Sequence, residues 1–222
     1  MTEMLELSRA GETLLIDADH ALIWPAQRSA FIADLHLGKG EIFRRSGIPI
    51  PEGTTRDDLL RLNALVERFG LERLVLLGDF LHGPSTGVAT HIDAFAAWRV
   101  QRPKLEFIVV AGNHDRHAAG KELAECVQWE REGYTIGPFA CCHHPCEIES
   151  RYVLSGHIHP VISLHGSHRE RLRIPVLWAR RHYAVLPSFG SFTGGAVIEP
   201  DERDEVYGMA AGRVWKVPQI AR

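Results

Sequence analysis

Apolar residues fall into short runs along the chain, and the spacing within each run separates strands from helices. Leu14–Asp17 and Ala21–Trp24 predict two short strands joined by a turn around Asp19. Ser29 to Ala33 is a continuous apolar run, predicted as a buried strand leading into Asp34. The rhythm then changes. Leu59, Leu62, Leu65, Val66 and Phe69 recur at helical intervals within Thr54–Phe69, and Gly70 supplies a stop. Leu74–Leu77 predicts a buried strand ending at Gly78, His91–Val100 a second helix, and Leu105–Val110 a strand ending at Gly112. Phe139–Cys142 and Tyr152–Leu154 predict two further strands. Beyond Val161 the pattern is β-rich, punctuated by Pro187, Gly190, Gly194 and Gly195. Early strand–helix alternation followed by short strands predicts an α/β fold whose later half is mostly antiparallel. No repeat or low-complexity segment breaks the pattern, and 222 residues suit one domain over 1–222.

Composition narrows the chemistry. A net charge of −3 excludes a surface that is basic throughout, so any nucleic-acid contact must come from a local patch. The 13 histidines raise the expectation of a metal site, because imidazole is the commonest metal ligand. The four cysteines, Cys126, Cys141, Cys142 and Cys146, form no CxxC pair and read as reduced thiols of a cytoplasmic protein. No signal peptide is expected near Glu3 and Glu6, and no apolar run approaches the roughly 20 residues that span a membrane.

Polar residues gather where the apolar strands end. Asp34-Leu35-His36, Gly78-Asp79, Gly112-Asn113-His114-Asp115, His143-His144-Pro145 and Gly156-His157-Ile158-His159 follow five successive runs. Ligands of open α/β sheets bind beyond the carboxyl ends of strands, so five such loops can converge. In an extended segment residues i and i+2 share a face, so Asp34 and His36 are expected to aim together, as are His157 and His159. Gly78, Gly112 and Gly156 allow sharp turns and close approach. Each piece alone is weak: an isolated Asp-x-His is commonplace, and GNHD suits a turn. The rival reading of the Cys141–Cys146 run as structural zinc lacks closed Cys/His pairs at finger spacing.

The ordered series D-x-H, G-D, G-N-H-D, H, G-H-x-H resembles the calcineurin-like metallophosphoesterase superfamily over residues 34–159. That resemblance implies two packed β-sheets flanked by helices in four layers, with the motif loops at one end. It implies two metals, one on Asp34, His36 and His159, the other on Asn113, His143 and His157, with Asp79 bridging. His143 is preferred over His144 because the family ligand resembles the first His of an H-x-P turn, and neighbours on an extended strand face opposite ways. The donor types suit Mn, Fe(II) or Zn, with Mn favoured. Two divalent ions against the −2 of Asp34 and Asp79 leave an excess of positive charge for hydroxide and phosphate. His114, a non-ligand in the family, is expected to protonate the leaving oxygen, with Asp115 orienting its ring. His82 is expected to support a ligand or touch substrate, against a plain loop histidine.

The substrate is less sharply written. Arg169, Arg171, Arg173, Arg180 and Arg181 face only Glu170 in sequence, and Lys39, Arg44 and Arg45 follow the first motif. Arg44, Arg180 and Arg181 are the arginines expected to meet phosphate, against a merely solvated strand face. Residues 33–39, 78–83 and 186–195 resemble the bacterial DNA-ligase-associated metallophosphoesterases known as PdeM. That resemblance implies a DNA-repair nuclease or phosphodiesterase with DNA as partner and a DNA ligase and helicase nearby. A nucleotide or cyclic-nucleotide phosphodiesterase fits the same metal motif. A non-catalytic repair scaffold would have lost ligands or His114, and neither is missing.

Overall fold

The structure, a computed structural model, describes residues 4–82, 89–115, 123, 126–165, 171–191 and 193–218. Its first sheet runs in the order β1 (Leu5–Arg9), β2 (Glu12–Asp17), β3 (Ala21–Trp24), β4 (Ser29–Ala33), β5 (Arg73–Leu77), β6 (Glu106–Val110) and β7 (Gln128–Glu130). Strands β1 to β4 pair antiparallel and β4 to β7 parallel. Helices α1 (Lys39–Arg45) and α2 (Thr54–Phe69) connect β4 to β5, and α3 (Ala89–Val100) lies between β5 and β6. The second sheet contains β8 (Tyr134–Ile136), β9 (Phe139–Cys141), β10 (Tyr152–Ser155), β11 (Pro160–His165), β12 (Arg171–Ala179), β13 (Tyr183–Val185), β14 (Ala196–Val197), β15 (Glu205–Ala210) and β16 (Arg213–Lys216). The expected two packed sheets flanked by helices are present.

Strand alternation sorts the core into layers. Ala30, Ile32, Leu74, Leu76, Phe107 and Val109 face the helices, where Leu59, Leu62, Leu65, Ile92, Phe95 and Trp98 cover them. Phe31, Ala33, Val75, Leu77, Ile108 and Val110 face the second sheet and pack on Phe139, Cys141, Leu154, Leu177 and Ala184. The central strands are apolar on both faces because both faces are covered. Cys141 and Cys142 serve as small apolar side chains, and all four cysteines are free. Among the described residues no helix is long and apolar enough to cross a membrane.

This layering positions the site. Strands β4, β5 and β6 run parallel, as do β9, β10 and β13, so their carboxyl ends lie along one edge of the sandwich. Asp34, Asp79, Asn113, His143 and His157 each follow such an end.

Candidate metal centre

Asp34, His36 and His159 bring ligand atoms within 4.8 Å of one another; so do His143, His144 and His157, and so do Asp34, Asp79 and His143. Asp79 lies between the first two groups. Its Oδ2 is 3.9 Å from His36 Nε2 and its Oδ1 is 3.6 Å from His143 Nε2. Asn113 Oδ1 is 2.9 Å from His143 Nε2, which is also 3.0 Å from His157 Nδ1. All seven expected donors therefore meet at one place.

The backbone reaches this convergence by a route other than the extended one. Asp34, His36, Asp79, His157 and His159 all have positive φ, between 46° and 69°. The loops are thus not extended; single left-handed residues swing each side chain inward, an uncommon conformation for residues with a Cβ. His157 and His159 accordingly do not aim together, since His157 joins His143 and His159 joins Asp34 and His36. Nor does His144 turn away: its ring lies 4.3 Å from that of His157, with Nδ1 2.5 Å from Glu132 Oε1. The three expected glycines leave room for donors. A Cβ on Gly78 would stand 1.9 Å from His143 Nδ1, one on Gly112 2.3 Å from Asp79 Oδ1, and one on Gly156 2.5 Å from Asp34 Oδ2.

The donor set fits divalent metal. Asp34 Oδ1 and His36 Nε2 are buried and have no hydrogen-bond partner among the described residues. Buried polar atoms are almost always paired, so an unpaired carboxylate oxygen and imidazole nitrogen in one cluster call for a further partner that takes lone pairs. His143 Nδ1 faces Leu77 O at 3.3 Å and His159 Nδ1 faces Gly194 O at 2.9 Å, the outer contacts that leave Nε2 free to ligate. Burial, reinforced by Lys39 and neighbouring histidines, pushes the His36 pKa far down; burial also lowers that of His157. Both rings are therefore neutral, as a ligand must be. Burial alone would lower the His159 pKa as well, but the carboxylate of Asp34 outweighs it and raises it.

His114 stands at the mouth, its side chain 41% exposed and its Nε2 3.9 Å from Asp79 Oδ2. His82 closes the other side, its Nδ1 3.3 Å from His36 Nδ1 and its ring 4.9 Å from that of His114. Burial and the nearby charge of Lys39 lower the His82 pKa to about 4. Asp115 does not orient the His114 ring. Its oxygens accept from the backbone amides of Phe80 (3.2 Å), Leu81 (3.1 Å) and Gly112 (2.9 Å), tying the Asp79 loop to the Asn113 loop.

Arg180 and Arg181 lie apart from the donor cluster. Arg180 and Arg181 precede β13, where Tyr152 Oη, at the start of β10, donates to Arg180 O. That is the amino end of both strands, opposite His157, so these two residues do not border the metal centre. Arg180 is also held by Asp204 at 3.1 Å and Tyr183 Oη at 2.9 Å. Arg44 donates to Pro51 O and Glu41. Arg173 lies 3.5 Å from Gly195 O, while Arg169 and Glu170 lie outside the described residues.

A further support comes from residues 186–191, within the 186–195 segment that carries part of the sequence resemblance. Ser188 Oγ donates to Asp34 O at 2.7 Å, and the amides of Phe189 and Gly190 donate to Ala33 O and Asp34 O. Arg61 donates to Phe189 O and stacks on its ring, and Asp58 accepts from Ser191. The resemblance marked that segment in the sequence without indicating where it docks.

No family model and no curated protein matches the chain. Among solved structures, the nuclease MPE of Pseudomonas putida is 33% identical over 97% of this chain and 100% of that chain, with a TM-score of 0.82. The protein AQ665 from Aquifex aeolicus, described as of unknown function, is 21% identical over 59% of this chain and 78% of that one, with a TM-score of 0.40. The Escherichia coli phosphoesterase Yfce is 14% identical over 82% and 88%, with a TM-score of 0.41. Likeness at the last two scores constrains nothing here.

Proposed function

The chain belongs to the same family as the Pseudomonas putida nuclease MPE and is a metal-dependent phosphoesterase, and from that premise we propose that it hydrolyses phosphodiester bonds of DNA. The observation that carries this reading is the pair of donor groups sharing Asp79 beneath an exposed His114. Asp34, His36 and His159 would hold one divalent ion, Asn113, His143 and His157 the other, and Asp79 both; manganese suits this oxygen–nitrogen set. Bound there, two ions would supply Lewis acidity, lowering the pKa of a held water toward about 7 and offsetting charge on the phosphoryl oxygens.

The chain's own groups do the rest. His114 is not committed to a donor group, so its ring is free to give a proton to the leaving oxygen. His82 packs beside it, its ring 4.9 Å away. Asp115 and Ser188 fix the loops that carry Asp79, Asn113 and Asp34, which sets donor positions before substrate arrives. Repair is the setting we favour, with a DNA ligase and a helicase as partners and the reducing cytoplasm as the compartment that suits four free cysteines.

Protein loaded with Mn(II) should be assayed on nicked, gapped and single-stranded DNA and on cyclic dinucleotides. Cleavage of DNA is expected. Turnover of cyclic dinucleotides with no cleavage of any DNA would replace this reading with a small-molecule phosphodiesterase.

A further inference from the structure

Away from the metals, a groove of about 460 Å³ lies against α1, α2 and α3. Arg44, Arg56, Arg102, His91, Asn63 and Gln101 are among its lining, and none of the described residues that line it is an aspartate or glutamate. In a chain whose net charge is −3, a cleft carrying three guanidinium groups and no carboxylate is a local concentration of positive charge. Glu41 pairs with Arg44 at 2.6 Å and also acts electrostatically on His91 of the groove wall, and Glu67 stands beside Arg102 at 3.6 Å. Both pairs are open to water on one side, and such pairs are weak enough to exchange for a phosphate. Arg56 is exposed and has no partner among the described residues.

One contact ties the groove's wall to the loop that carries His36. Gly38, two residues after His36, donates to Thr55 Oγ1 at 3.4 Å, and Thr54 and Thr55 line the groove. Helix α1 carries Lys39 at its first residue and Arg44 one residue from its end, a span of roughly 8 Å at 1.5 Å per residue. Lys39 is part-buried, 5.8 Å from the Phe43 ring, and that ring is 6.1 Å from the ring of His82. Helices α2 and α3 both start at the metal edge, since each leads back to the start of the next parallel strand. The groove therefore runs from the metal edge down the outside of the first sheet. From Thr54 to Asn63, and from His91 to Gln101, the two walls extend roughly 14 Å, which is about four phosphates at the 3.4 Å spacing of a stacked strand.

We infer that this groove is the track for the polynucleotide backbone beyond the scissile phosphate, with Lys39 and Arg44 carrying the strand over α1 and Arg56 and Arg102 holding its phosphates; this rests on the DNA reading above. A small diester reaches the metals without entering the groove. A longer strand gains contacts along it.

The test compares Mn(II)-loaded wild type, Arg56→Glu and Gln101→Glu on oligothymidylates from two to ten nucleotides. Arg213→Glu, at the first residue of β16, serves as a control with the same charge change as Arg56→Glu, with melting temperature as the check on folding. In wild type, kcat/KM should rise with length and level off once the groove is filled. In Arg56→Glu the gain from length should shrink about tenfold, in Gln101→Glu it should shrink at the longest oligomers, and Arg213→Glu should follow wild type. Arg56→Ala should also flatten the log–log salt dependence of ten-mer binding by about 0.7, one phosphate contact on a single strand. An undiminished length gain in Arg56→Glu, with wild type cutting the ten-mer, would overturn the groove and leave the DNA reading intact. A wild type that hydrolyses bis(p-nitrophenyl) phosphate but no oligothymidylate of any length would overturn the DNA reading itself, and the groove's role with it.

Discussion

Five proposed metal donors hold left-handed backbone angles, a conformation that costs L-residues of order 1–2 kcal/mol each. Surrounding contacts keep them there: the Gly78 carbonyl accepts from the Asp34 amide, and Asp79 O accepts from the His36 amide. Gly78 shows how little slack remains. It has φ +82°, and an added Cβ would meet His143 Nδ1 at 1.9 Å. Gly78→Ala should therefore lose the ion of the His143 group and keep that of Asp34, His36 and His159, lowering metal content from two per chain to one by elemental analysis. Retention of both ions would mean His143 is not a donor. His114→Ala should keep fold and metal yet lose roughly 10²–10⁴-fold in kcat on DNA, and less on a nitrophenyl diester whose leaving group needs no proton. Equal losses on the two substrates would remove the acid role. At this scale the sequence showed which residues gather, because strand ends and glycines mark where loops converge. It did not show how they aim. Alternation was the wrong geometry for a left-handed residue, and nothing in GNHD said that Asp115 would be consumed by backbone amides.

At the scale of elements, runs with a strong period were legible and short polar ones were not. The Thr54–Phe69 helix and its Gly70 stop, here at φ +55°, follow directly from an apolar face at helical spacing. Helix α1 was missed because Lys39–Arg45 is seven residues long and carries Gly40; Glu41 pairs with Arg44 and Arg45 to support it. Strand β1 was missed although Leu5 and Leu7 alternate, since Leu5–Arg9 has only those two apolar positions and buries only Leu7. The far edge of the sandwich has its own tie. Glu205 of β15 accepts from Lys216 at 2.7 Å, from Tyr207 at 2.8 Å and from Arg9 of β1, joining the two sheets. Burial opposes ionisation of Glu205, but the hydrogen bonds from Lys216, Arg9 and Tyr207 prevail and hold its pKa at about 2, down from 4.5. A depressed carboxylate pKa adds stability above the unfolded value and loses it as pH falls through the folded value. Chelator-treated wild type should thus lose stability between about pH 4.5 and 2 more steeply than Glu205→Gln, with a difference of at most about 1 kcal/mol for so open a cluster. Urea unfolding at several pH values measures it, and parallel losses would mean the tie contributes nothing.

Over the whole molecule, two sheets place their parallel strands so that five carboxyl ends share one edge, and residues 186–191 brace the first loop from the second sheet. This was only half legible beforehand. Strand order within each sheet and the face each loop turns to depend on long-range pairing that no local pattern states, so nothing local said that Arg180 and Arg181, expected to meet phosphate, join β12 to β13 at the end of the sheet opposite the centre. What the sandwich makes is a place for two ions joined by Asp79. The most direct measurement is a titration of chelator-stripped protein with Mn(II), following bound metal and turnover of bis(p-nitrophenyl) phosphate together, in wild type and Asp79→Ala. Wild type should bind two ions per chain and reach full turnover only when both are present, and Asp79→Ala should retain neither tightly. Full turnover at one ion per chain, or two tightly held ions in Asp79→Ala, would contradict the bridged dinuclear centre.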